Sequence, residues 1–101
     1  MTPRTHNQLE KIAANIETWM DKMGLYGVWV ETSGGMGSFE TFYVEFQKTE
    51  DHEPCTIRVS DHANGGGRTS PDFYLWFSHY SGIRELKAAI KGIVDAWNET
   101  I

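Results

Sequence analysis

A single cysteine in 101 residues, Cys55, leaves no partner for an internal disulfide and no thiolate set for a multi-cysteine zinc site. Long apolar runs are missing too. The opening helical segment carries Arg4, Glu10, Lys11 and Glu17, which excludes both a secretory h-region and a membrane span there. Basic residues are scarce: nine Lys and Arg against fourteen Asp and Glu give a net charge of −5. Sequence-independent nucleic-acid binding needs the opposite balance to displace counterions. Direct nucleic-acid binding is therefore less expected than contact with a basic protein, whose encounter an acidic surface speeds. No repeat or low-complexity tract occurs, and the expected location is cytoplasmic.

What the chain does contain is apolar residues in two clear rhythms. Aromatics make up 13% of it and hydrophobic residues 40%, too many for a disordered chain and enough for the core of one domain spanning residues 1–101. Leu9, Ile12, Ile16, Trp19 and Met23 step by three and four, as do Ile83, Leu86, Ile90, Ile93 and Trp97. Each set forms one stripe of a helix. Thr2 before Pro3, or Thr5 with Gln8 as a capping box, can start the first helix, and Gly24 can stop it. Ser81 is the expected cap of the second, with Glu85 in its first turn.

Between the helices the period falls to two. Strands are expected at Leu25 to Thr32, Phe39 to Lys48, Cys55 to Ser60 and Phe73 to Ser78. Phe42, Val44 and Phe46 alternate with Tyr43, Glu45 and Gln47; Ile57 and Val59 alternate with Arg58; Phe73, Leu75 and Phe77 alternate with Tyr74 and Trp76. Short turns favour an antiparallel meander. The expected fold is a two-layer α+β domain, α-β-β-β-β-α, with both helices on the Val44/Ile57/Leu75 face of an antiparallel four-stranded sheet. The segment Asp61 to Asp72 exceeds a usual hairpin connection.

This register puts Tyr43, Arg58, Tyr74 and Trp76 on the face away from the helices. Arg and aromatic side chains on an open sheet offer a stacking platform to bases, a planar ligand or a partner's side chains; the alternative is that they merely cover that face. A second feature is acidic: Glu40, Glu45, Glu50, Asp51 and Glu53 can present carboxylates to a basic groove, as a duplex presents phosphates. Asp61 and His62 end a strand beside a loop and are weak metal-ligand or base candidates, for no diagnostic ligand spacing accompanies them. The glycines near Gly34 and Gly65 precede no helix, so they are not phosphate-cradling loops, although Met36 and Arg68 among them can order on a partner. Cys55 falls at an inward position and reads as a small core residue; Ser60 and Ser78 lack a nucleophile elbow. No catalytic residue and no cofactor is assigned.

The string Thr56-Ile57-Arg58-Val59-Ser60-Asp61-His62 resembles an I-R-[IV]-S-D-H string of small phage and mobile-element proteins. The resemblance implies a genomic setting in which small acidic proteins inhibit host nucleic-acid-handling machines, as anti-CRISPR proteins do. Arg84, Lys87 and Lys91 form a basic ridge on the last helix, and in element order alone the chain resembles the double-stranded RNA-binding domain. An extra strand, Arg84-Glu85-Leu86-Lys87 in place of a run of lysines and the acidic balance depart from that family, and a solvated helix face is the preferred reading of the ridge. The leading expectation is a non-enzymatic interaction protein that occludes a host nucleic-acid-handling protein. The alternatives are a nucleic-acid or nucleotide-binding module using Tyr43, Arg58, Tyr74, Trp76 and Arg68, and a small metal-dependent enzyme around Asp61 and His62. Homodimerisation through a helix surface or a sheet edge stays open beside all three.

Overall fold

Thr5 starts the first helix. From an extended backbone (φ −139°, ψ 158°) its hydroxyl accepts the Gln8 amide at 3.1 Å, satisfying a donor that a helix start leaves without an internal partner. Gln8 reaches back in turn, but to the Arg4 amide, at 2.7 Å. Helix α1 (His6–Asp21) follows, and the chain leaves it through Gly24 at φ 73°, a left-handed turn that glycine adopts without steric cost. The computed structural model describes residues 1–32, 41–61 and 71–99.

Four strands make one sheet in sequence order: β1 (Tyr26–Thr32), β2 (Thr41–Gln47), β3 (Cys55–Ser60) and β4 (Phe73–Leu75). The α+β class, the two terminal helices and the four strands match expectation. The all-antiparallel meander does not: β1–β2 and β2–β3 are antiparallel, whereas β3–β4 is parallel, so the sheet is mixed. Length explains the difference. A parallel pair needs a connection of about a dozen residues or more, and only the segment after β3 is long enough. β4 is also shorter than Phe73 to Ser78. After Leu75 the chain turns into a 3-10 helix (Phe77–His79) before helix α2 (Ile83–Glu99).

Gly27 takes φ 61° where the β1–β2 register slips between Tyr26 and Trp29, which marks a bulge. At the start of α2 the Leu86 amide bonds the Gly82 carbonyl at 3.2 Å, one residue later than a Ser81 cap would place it. Ser81 instead donates its hydroxyl and its amide to Glu85.

One cluster joins everything. Leu9, Ile16 and Met20 of α1, and Leu86, Ile90 and Val94 of α2, meet Phe42, Val44, Phe46, Ile57 and Val59 of the sheet, all essentially sealed from solvent. Both helices therefore cover one face. The α1 stripe is rotated slightly from expectation: Ala13 and Met20 are buried, while Ile12, Trp19 and Met23 flank them. Phe77 left the strand yet stays in the core, its ring 5.6 Å from that of Phe42. Cys55 is also sealed there, and burial, with the nearby Asp72 carboxylate adding to it, pushes its thiol up to about 12, so it is inert as a nucleophile.

Leu86→Ala or Ile90→Ala removes a fully buried side chain on which a helix depends. Each is expected to cost about 2–5 kcal/mol, read as a lowered urea midpoint at unchanged slope.

Candidate protein-interaction surface

The back of the sheet is laid out by register alone. Glu31 pairs with Tyr43, Tyr43 with Arg58, and Arg58 with Tyr74, giving one row across all four strands. Tyr43 and Arg58 thus share the face away from the helices, as the alternation predicts. The row is not an open platform, however. Tyr43 is only 7% exposed and Arg58 3%, and the Arg58 guanidinium lies 5.8 Å from the Tyr74 ring centre. Beyond them Thr41 and Ser60 are buried too, their hydroxyls 2.6 Å apart. Trp76 lies outside the sheet, half-buried and tilted against His79 with ring centres 6.3 Å apart. Of the four expected platform residues only Tyr74 is freely exposed, at 51%. Alternation assigns a side chain to a face; it does not say whether that face is covered.

The open part of the back is the half nearer the β2–β3 turn. Trp29 pairs with Glu45, and Glu45 with Thr56. Tyr26 and Trp29 are each 48% exposed. Neither was among the expected contact residues, although a signal for Trp29 existed: Val28 and Val30 point to the core, which leaves Trp29 outward.

The acidic turn adjoins this half. Glu50, Asp51 and Glu53 are exposed and Glu45 is half-buried. The turn's backbone is held firmly. The His52 amide bonds the Thr49 carbonyl at 3.1 Å, and the Gln47 side-chain amide donates to the carbonyls of Glu50 at 3.2 Å and His52 at 2.7 Å. From the helical layer, the Trp97 indole N–H donates to the Glu53 carbonyl at 3.0 Å. With its carbonyls tied inward, the turn presents three carboxylates from a fixed frame. Such preorganisation reduces the ordering cost of binding.

Asp61 serves as a clasp. Its Oδ1 accepts the Ser78 amide at 3.0 Å and its Oδ2 accepts the Thr2 hydroxyl. The Met1 nitrogen, 2.8 Å from the Tyr80 carbonyl, ties the same segments. Burial pushes the Asp61 carboxyl upward, but the bonds from Thr2 and Ser78, with the Met1 positive charge, outweigh it and leave it below the ordinary 3.8. Both oxygens are engaged in holding the chain's first residues to the 3-10 helix. That engagement gives Asp61 a structural role. Among the described residues no three His, Cys, Asp or Glu side chains converge as a metal site would require. His62, Arg68, Met36 and Glu40 lie outside the described residues.

With this geometry in place, comparison with protein families, curated proteins and solved structures returned no match.

A carboxylate held below its unfolded pKa stabilises the fold above that pKa and loses its contribution as pH falls through the folded value. Asp61→Ala is therefore expected to lower stability by about 1 kcal/mol at pH 7. The gap to the parent should close as pH drops below about 4, seen as converging urea midpoints.

Proposed function

We propose that this is a non-enzymatic interaction protein whose acidic hairpin turn docks into a basic groove of its partner, with the aromatic half of the sheet back as the adjoining contact. The observation that carries this reading is the pinned turn: Glu50, Asp51 and Glu53 project from a backbone tied by Gln47 and Trp97. A chain of net charge −5 adds to the steering. Tyr26 and Trp29, exposed on the half of the sheet back nearer the turn, and Tyr74, exposed on β4, are of the side-chain types that dominate interface energetics.

A basic groove of this kind is what a nucleic-acid-handling protein keeps for phosphates. Occupying it with carboxylates makes the protein an occluding inhibitor. The resemblance of residues 56–62 to phage and mobile-element strings supports a host protein as the target. No helix among the described residues is long and apolar enough to cross a membrane.

The test is capture from a bacterial lysate at low salt, followed by affinity measurement with the recovered protein. The double variant Glu50→Lys/Asp51→Lys should bind about tenfold or more weakly, a loss of ~1.4 kcal/mol or more. Nucleic acid should compete with the parent protein for the same partner. Equal affinity of parent and double variant, or simultaneous binding of nucleic acid, overturns the reading.

A further inference from the structure

The helical layer carries a surface of the opposite sign. Five of the nine Lys and Arg residues, Lys11 of α1 and Lys22 at its C-cap with Arg84, Lys87 and Lys91 of α2, line two adjoining grooves of about 490 and 460 Å³. Among the described residues no carboxylate lines either. The grooves share Trp19, Lys22 and Lys87, and the Lys87 ammonium sits 5.5 Å from the Trp19 ring centre, joining the two helices from above. The floor between the cations is largely apolar: Trp19 is half-buried, with Ala14 on one side and Ala88 and Met23 on the other, while Asn15 and Thr18 also line the first groove. Lys91 shares its charge with Asp95 at 2.6 Å, so Lys11, Lys22, Arg84 and Lys87 set the sign of the groove.

We infer that this groove is a second binding site, and that it takes an acidic amphipathic helix of a partner protein. Three features choose that occupant. The apolar strip along the floor matches the apolar stripe of a helix, read at i, i+3, i+4 and i+7. Ala14 and Ala88 let a third backbone approach closely where larger side chains would hold it off. The flanking cations then meet carboxylates on either side of that stripe, with their methylene stems covering its edges. A nucleic-acid strand would use the cations but leave the apolar floor largely unanswered. The charge is local: a strongly acidic chain gathers most of its cations around one tryptophan, on the layer opposite the exposed aromatics of the sheet.

The probe is a synthetic helical peptide of about 18 residues, about 27 Å long, with leucine at i, i+4, i+7 and i+11 and glutamate on both flanks. Binding is followed by fluorescence anisotropy at low salt, beside a scrambled peptide of equal composition and an oligothymidylate of equal charge. The amphipathic peptide should bind at least tenfold more tightly than either control. Lys22→Glu/Lys87→Glu should weaken it at least tenfold, with an unchanged near-ultraviolet dichroism spectrum reporting an intact fold. Glu50→Lys/Asp51→Lys should leave peptide affinity unaltered, which separates this site from the acidic turn. Equal binding of the scrambled peptide, tighter binding of the oligonucleotide, or full affinity in a folded Lys22/Lys87 variant overturns the inference.

Discussion

Two amphipathic helices of sixteen and seventeen residues must each bury a stripe, and a single sheet face is available to both. Leu9, Ile16, Met20, Leu86, Ile90 and Val94 all converge on the Phe42/Val44/Phe46 and Ile57/Val59 rows. Isolated helices of this length are marginal in water, so their stability comes from this packing rather than from propensity. Because the hydrophobic effect claims one side of every element, it also settles which sides remain for contact. The outer flanks of the helices and the open half of the sheet back are what is left.

Those two remaining surfaces differ in charge. At the sheet end, Gln47 and Trp97 bind the backbone carbonyls of the β2–β3 turn and so aim Glu50, Asp51 and Glu53 at solvent. On the helical layer, Lys and Arg from both helices gather around Trp19. A net charge of −5 conceals this separation, since a sum carries no position. Complementary potentials act over roughly a Debye length, about 8–10 Å at physiological salt. A charged molecule that approaches therefore senses each patch rather than the total.

Polar residues in the interior have structural work that their chemistry does not announce. Arg58 and Tyr43 cross the middle of the sheet back in a buried row, and Arg58 faces Tyr74 in a cation–π arrangement. Asp61 holds Thr2 and Ser78, closing the seam between the beginning of the chain and the 3-10 helix. With both oxygens engaged by neighbours, Asp61 is an element of stability with a pH signature.

Local spacing by itself determined the two helices, the existence of four strands and the side of the sheet on which the central residues of β2 and β3 stand. These follow from periods of 3.6 and 2, which any short stretch of chain displays. Tyr43 and Arg58 share a face for that reason, as do Val44 and Ile57. Only the tertiary structure decided the parallel pairing of β4, the burial of Tyr43 and Arg58, the exposure of Tyr26 and the partners of Asp61. Each of these depends on segments far apart in the chain: Asp61 meets Thr2 across 59 positions, and Trp97 meets Glu53 across 44. The cationic groove belongs with them, because it needs two helices from opposite ends of the sequence to lie side by side.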